Sequence, residues 1–280
     1  MNVSTALISK VERAISVLRP HRGVVVALSG GVDSATLLAV ACEALGPANV
    51  FAVTGRSGAV AEPEIDDAKE VARQLGVAHS VVETHEIDRV EYRLNQGDRC
   101  FHCRTELFEI LSAISTGRGV ESIAYGAIVD DLGDDRPGMQ AAREMGILAP
   151  LLDAYIYKKE VRILAKQFNL HIHDKPSNAC LASRMPIGQE VTPERLSQVD
   201  RAESGLRKLG FRQCRVRHHG DIARIEFADH DAGRLGDPEL RAHIVRAVKT
   251  AGFRFVAVDL EGYEEGGRLY SIAPARESGQ

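Results

Sequence analysis

Apolar positions along this 280-residue chain repeat in two rhythms. Short unbroken runs, Val24-Val25-Val26-Ala27-Leu28, Val50-Phe51-Ala52-Val53-Thr54, Ala78 to Val82 and Ser122 to Gly126, have the length and continuity of parallel strands covered on both faces. Between them apolar residues recur every three or four positions, which predicts amphipathic helices. One such helix runs from Ser34 to Gly46-Pro47, one from Pro63 through Ala68, Val71, Ala72 and Leu75 to Gly76, and one through Leu107, Phe108, Ile110 and Leu111. Leu7, Ile8, Val11, Ile15 and Leu18 mark another near the N-terminus, and two more are predicted from Gly138 to Met145 and from Lys158 to Phe168. Strand and helix in alternation give an α/β fold, a doubly wound parallel sheet with ligands at the carboxyl ends of its strands.

The rhythm stops between Asp174 and Gly188, and a loop of that length is usually functional when ordered. From Val191 a second pattern begins. Thr192-Pro193 caps and opens a helix carrying Leu196, Val199, Leu206 and Leu209, followed by strands over Cys214–Arg217 and Ala223–Phe227. Asp237-Pro238 starts a helix with Leu240, Ile244 and Val248, and Phe255 to Leu260 is a last strand. The expected division is 1–175, the doubly wound domain, and 176–280, a smaller α/β domain.

Composition narrows the class. With 44% hydrophobic residues the chain can bury a full core, and its formal charge of -4 gives no overall positive field of the kind a dedicated nucleic-acid binder carries. Charges interrupt the apolar positions of the first twenty residues, which reads as an amphipathic helix rather than a signal peptide, and no apolar run is long enough to span a membrane. Five cysteines without an export signal place the chain in the cytoplasm, where thiols serve as ligands or nucleophiles more often than as disulfides.

The candidate chemistry starts at Ser29-Gly30-Gly31-Val32-Asp33-Ser34, between the first strand and its helix. Small residues let backbone amides approach a ligand, and Ser34 is suited to cap a helix whose N-terminal dipole favours a pyrophosphate. No G-x-x-x-x-G-K-[ST] and no G-x-G-x-x-G follows the strand, which excludes the two commoner phosphate loops. The string resembles the pyrophosphate loop of the PP-loop ATP pyrophosphatases, which cleave ATP between its α- and β-phosphates. Further on, Cys100-Phe101-His102-Cys103 is a lone C-x-x-C with no second pair for zinc and no redox-protein context. Asp130, Asp131, Asp134 and Asp135 suit magnesium shared with a triphosphate, or simply an acidic solvated loop. Cys180 lies in the aperiodic loop four residues before Arg184, near enough to lower a thiol pKa. Residues 195–217 carry seven lysines and arginines against two acids, open to an anionic substrate, an RNA backbone or solvent alone. Cys42 and Cys214 are expected as packing residues.

Taken together, the loop Ser29–Ser34, Asp130-Asp131-Leu132-Gly133 with Arg136-Pro137-Gly138, Asp174-Lys175-Pro176 followed by Ala179-Cys180-Leu181-Ala182-Ser183-Arg184, and Arg215-Val216-Arg217 resemble the LarE family of sulfur insertases over nearly the whole chain. That family makes pyridinium-3,5-bisthiocarboxylic acid mononucleotide, the precursor of a nickel pincer cofactor. The resemblance implies that Ser29, Gly30, Gly31, Asp33, Ser34 and Gly126 hold ATP, and that Asp33 with Asp130 or Asp131 places Mg2+. It implies Arg184, Arg215 and Arg217 as phosphate or carboxylate binders, and Glu203 as an active-site acid. Some members give up the sulfur of a cysteine at the position of Cys180; others hold a [4Fe-4S] cluster on three cysteines, here Cys100, Cys103 and Cys180, which leaves one iron open. Three cysteines in this chain favour the cluster type. The implied partners are a small-molecule nucleotide substrate and sulfide or another sulfur donor, with no membrane and nucleic acid not expected; the implied assembly is a homo-oligomer, a hexamer, with 1–175 as the PP-loop ATP pyrophosphatase domain and 176–280 as the substrate, sulfur-transfer and oligomerisation domain. Where the family carries Asn two residues after the glycine matching Gly126, this chain has Ile128, so that side chain's contact is absent. Two rivals remain: a cluster-dependent tRNA thiolase, which shares the loop and three cysteines, and a non-catalytic nucleotide and cluster sensor.

Overall fold

The computed structural model describes residues 4–120, 122–133 and 137–263. They form two compact units, one comprising the chain up to Glu86 and Cys100–Lys175, the other Ile87–Arg99 and the chain from Pro176 onward. In chain order the helices are α1 (Thr5–Leu18), α2 (Val32–Leu45), α3 (Glu62–Gln74), α4 (Val90–Leu94), α5 (Arg99–Gly117), α6 (Pro137–Glu144), α7 (Pro150–Asp153), α8 (Lys158–Gln167), α9 (Pro193–Lys208) and α10 (Pro238–Thr250). The strands are β1 (Val24–Ala27), β2 (Val50–Arg56), β3 (Ala78–Glu83), β4 (Ile123–Tyr125), β5 (Cys214–His219), β6 (Ile222–Phe227) and β7 (Phe255–Val258).

In the first unit the four strands run parallel in the order β3-β2-β1-β4. Successive strand residues point to opposite faces, and the core divides accordingly. Val24, Val26, Leu28, Ala52 and Ala124 pack with Leu7, Leu18, Leu37, Leu38, Val71 and Leu164, whereas Val25, Phe51, Val53, Ile123 and Tyr125 pack with Phe108, Leu111 and Ala142. Helices on both faces are the reason the strands read as unbroken apolar runs. The doubly wound parallel sheet expected from the sequence is therefore the observed fold.

Two helix starts differ from the sequence reading. The helix after β1 begins at Val32, not Ser34, because Gly31 takes the extended cap conformation (φ -87°, ψ 158°) and Ser34 falls in the first turn. The helix through Leu107 and Phe108 begins already at Arg99, so Cys100 and Cys103 stand one turn apart on α5. Asp134, Asp135 and Arg136 lie outside the described residues.

In the second unit β5 and β6 form an antiparallel hairpin through Gly220 (φ +64°) and Asp221, and α10 carries the chain across to β7, parallel to β6. Leu196, Val199, Leu206, Phe211, Val216, Ile225, Phe227, Ile244 and Val248 are buried between sheet and helices. Thr192 caps α9 through the Arg195 amide at 3.3 Å, and Asp237 caps α10 through the Glu239 amide at 2.9 Å. This unit also takes Ile87–Arg99, which a break at 175/176 assigns to the first. Asn95, 2% exposed and in the left-handed region at φ +51°, is the anchor: its side-chain amide donates to the carbonyls of Pro186 (2.7 Å) and Gln189 (3.1 Å). No helix among the described residues is long and apolar enough to cross a membrane.

Candidate active site

At the carboxyl end of β1 the chain closes a loop on itself with serine hydroxyls. Ser34 Oγ accepts from the Ser29 amide at 3.1 Å and donates to the Gly31 carbonyl at 3.0 Å, and Ser29 Oγ accepts from the Gly31 amide at 3.4 Å. Ser34 thus does not cap α2; it braces the loop from inside the first turn. The cap position is Gly31, no side chain caps the helix, and the amides of that turn are left for an anion. Two glycines make the shape possible. Gly30 has φ +77°, and a Cβ there would sit 2.0 Å from the Glu64 carbonyl oxygen. At Gly126, just after β4, a Cβ would lie 2.7 Å from the Ser34 amide nitrogen. Both absences bring backbone against backbone around the loop.

Charged residues the sequence reading gave no role complete this wall. Lys158, the first residue of α8, donates to both Asp33 carboxylate oxygens at 2.9 and 2.7 Å, and its own amide donates to Asp130 at 2.8 Å. Asp131 accepts from the Ile128 amide at 3.0 Å. Burial raises the Asp33 pKa above the usual carboxylate range, against the pull of Lys158. Lys175 donates to the Gly30 carbonyl (3.0 Å), Glu64 (2.7 Å) and Asp67 (2.6 Å), so all three of its protons hold the loop to α3. Thr54 Oγ1 donates to the Leu28 carbonyl at 2.6 Å from the end of β2.

In the second unit two buried arginines, Arg184 and Arg217, have acidic partners. Arg184 is 1% exposed and meets the equally buried Glu203 through Nε at 2.8 Å and Nη2 at 3.2 Å. Its other donors reach the carbonyls of Ala179 (2.8 Å) and Cys180 (3.2 Å) and the Asn178 side chain (3.0 Å), which fixes the segment carrying Cys180. Glu203 also accepts from the Val216 amide at 3.0 Å. Arg217 is bidentate to Glu226 at 2.8 and 2.9 Å and donates to the Ser183 carbonyl. Arg215, 2% exposed, donates to the Tyr263 hydroxyl at 3.0 Å, and burial lowers its pKa. The basic run over 195–217 is therefore not a solvated patch throughout: at its end Arg215 and Arg217 are interior residues whose partners hold the Cys180 segment and β5 together, while Arg201, Lys208 and Arg212 are exposed.

The cysteines sort by exposure. Cys100 and Cys180 are exposed, Cys103 is half-buried, and Cys42 and Cys214 sit among packed side chains. Burial pushes the Cys42 thiol up to about 11 and the Cys214 thiol up to about 12. At pH 8 the thiolate fraction of either is at most about one in a thousand, and thiolate is the nucleophile. Iodoacetamide applied to reduced, metal-free protein is thus expected to label Cys100 and Cys180 and to spare Cys42 and Cys214, as read by peptide mass spectrometry. Three accessible or half-accessible thiols match the donor chemistry of an iron–sulfur cluster. Among the described residues, however, no group of three or more His, Cys, Asp or Glu side chains is gathered as a metal-holding set, for iron or for magnesium.

The comparisons with known proteins agree with this geometry. Residues 5–106 match the NAD synthase family model. Over 69 residues, 24% of this chain and 28% of the relative, the chain is 44% identical to the NH(3)-dependent NAD(+) synthetase of Archaeoglobus fulgidus. An uncharacterised protein of Synechocystis sp. is 39% identical over 86% of this chain and 90% of its own. The pyridinium-3,5-bisthiocarboxylic acid mononucleotide synthase of Lactiplantibacillus plantarum is 33% identical over 93% of this chain and 94% of its own. A parallel sheet with an uncapped pyrophosphate loop, matched end to end by that relative, makes this chain a member of the LarE family, an ATP-using enzyme built on a PP-loop domain.

Proposed function

We propose that this protein adenylates a carboxylate of pyridinium-3,5-biscarboxylic acid mononucleotide and replaces its oxygen by sulfur, in the making of a nickel pincer cofactor. The observation that carries the reading is the end-to-end similarity to the Lactiplantibacillus plantarum synthase, in a chain whose PP loop has the geometry above. The uncapped amides of the first turn of α2 take the phosphates of ATP. A substrate carboxylate oxygen bonds to the α-phosphorus while the bond to the β-phosphate oxygen breaks and pyrophosphate leaves. Sulfur then attacks the acyl carbon, and AMP departs with the carboxylate oxygen. Lys158, held on Asp33, stands ready to neutralise phosphate charge when a cation takes the carboxylate. Mg2+ would be held by Asp33 with Asp130 or Asp131, and would offset the charge of the triphosphate.

Sulfur delivery centres on Cys180, exposed on a segment that Arg184 pins by its carbonyls. A [4Fe-4S] cluster on Cys100, Cys103 and Cys180 would supply a sulfide on its open iron and spare the protein chain. Without it, the Cys180 thiolate itself forms the carbon–sulfur bond. Loss of its α-proton then breaks its own Cβ–S bond and leaves dehydroalanine.

The test is anaerobic reconstitution with ATP, Mg2+, sulfide and the biscarboxylate mononucleotide. Pyrophosphate release that requires the mononucleotide is expected, with about four irons per chain and a brown colour lost in Cys100→Ala. Colourless active protein whose Cys180 has become dehydroalanine after one turnover would assign the sacrificial route instead. No mononucleotide-dependent pyrophosphate would overturn the function.

A further inference from the structure

Arg104 follows Cys103 on α5 and is half-buried, yet among the described residues it makes neither a hydrogen bond nor an ion pair. It lies over the face of Tyr125, whose ring centroid is 5.3 Å from the guanidinium carbon. More deeply buried arginines are supplied with partners. Arg99, five residues earlier on the same helix, donates to Asn95 at 2.7 Å and to the Ala182 carbonyl at 2.8 Å, and Arg184 and Arg217 each hold a glutamate. A guanidinium that only stacks on a ring keeps its N–H donors available to a ligand.

The fold has made room for it. A Cβ at Gly138, the second residue of α6, would lie 2.7 Å from Arg104 Cδ and 2.9 Å from Nε. Glycine at 138 is what lets the arginine lie along α6, and glycine inside a helix is itself unfavourable relative to alanine. Tyr125, on the other side, is the last residue of β4, and the next residue is Gly126, which abuts the first turn of α2. Arg104 is therefore clamped between Tyr125 and Gly138 at the carboxyl end of β4, the strand beside β1, one residue along the chain from the wall of the nucleotide loop. Ligands of parallel sheets bind at that end.

We propose that Arg104 is the oxyanion receptor for the acceptor substrate at this site, taking a carboxylate or phosphate monoester in the bidentate manner of a guanidinium stacked on an aromatic face. This inference rests on the function proposed above and adds a residue that recognises the substrate's acidic group. The Tyr125 ring sets the plane of the guanidinium, and Gly138 sets its position.

The experiment compares wild type, Arg104→Ala, Arg104→Lys and Gly138→Ala. Three quantities are read: KM for the mononucleotide in pyrophosphate release, the Kd of α,β-methylene-ATP, and the Kd of pyridine-3,5-dicarboxylate by calorimetry. Arg104→Ala is expected to raise the mononucleotide KM roughly 10- to 100-fold, the range of hydrogen bonds to charged groups. The ATP-analogue Kd and the thermal midpoint should stay at wild-type values. Gly138→Ala, which keeps the charge but displaces it, should raise the same KM, and Arg104→Lys should restore only part of the loss. Weakened dicarboxylate binding in Arg104→Ala would identify the ligand group as a carboxylate; unchanged dicarboxylate binding beside the raised KM would identify it as the phosphate. A loss confined to the ATP analogue, or unchanged values throughout in folded Arg104→Ala, would overturn the proposal. Wild type that binds the mononucleotide but releases no pyrophosphate would defeat the proposed function alone, since the calorimetric comparison still reads the receptor.

Discussion

Glu203→Ala is expected to destabilise the second unit by about 3–5 kcal/mol, because it strands a buried arginine without its counter-charge. Arg184 is 1% exposed and has no route to water, and Glu203 is the carboxylate it meets through two nitrogens. The same glutamate also satisfies the Val216 amide on β5, so its loss leaves a second buried donor unpaired. Chemical denaturation followed by far-UV circular dichroism reads the effect as a lower midpoint. The paired change Arg184→Met with Glu203→Leu separates the two roles of the ion pair. Stability should largely return, since apolar side chains of similar volume often replace buried pairs at no net cost. Sulfur transfer should not return, because Arg184 also holds the carbonyls of Ala179 and Cys180. Full activity in the double variant would show that the Cys180 segment needs no such anchor.

Gly30→Ala is expected to lower pyrophosphate release by at least about 100-fold, the scale of a displacement of roughly 1 Å in reacting groups. The added Cβ meets the Glu64 carbonyl oxygen at 2.0 Å, a contact that no side-chain rotation relieves because the obstacle is backbone. The left-handed φ of +77° adds about 1–2 kcal/mol for any residue with a Cβ. The loop must move away from α3, and the Lys175 ammonium bonded to the Gly30 carbonyl moves or lets go with it. A turnover assay with saturating ATP, beside a thermal melt of the variant, checks this. Near-normal turnover would mean that the loop accommodates its ligand in more than one shape.

What can be read from the sequence is what depends on neighbours along the chain. Val24–Leu28 announces a strand covered on both faces, and Ser29–Ser34 announces an anion loop, because six consecutive residues set that backbone. The role of Ser34 is displaced from the expected one by a helical turn: a cap and a first-turn serine look alike in sequence, and only the extended conformation of Gly31 decides between them. Lys158 and Lys175 carry no local signal of their roles since their partners are 125 and 145 residues away, at Asp33 and Gly30. Arg184, Arg217 and Glu203 pose a different difficulty. The residue types that bind a phosphate are also those that pair inside a core, and only the fold shows these three buried to 1–3% with Arg184 on Glu203 and Arg217 on Glu226. Gly138 has no visible purpose in the sequence, because the Arg104 stem that fills the space of its missing side chain comes from another helix.

Asn95 and Arg99, with the strand-like bonds from Gly188 to Asn95 and from Val191 to Arg93, tie a thirteen-residue excursion, Ile87–Arg99, into the second unit. The polypeptide consequently leaves the first unit, returns to it at Cys100 and leaves it again after Lys175. The two parts are interleaved in sequence rather than strung end to end. A fragment ending at 175 would carry Asn95 and Arg99 with nothing to receive their bonds, and a fragment starting at 176 would lack the residues that fill those places. Neither could have been acquired or shed as a cassette by one recombination event, so the two parts of this enzyme are bound to evolve as a single inheritance.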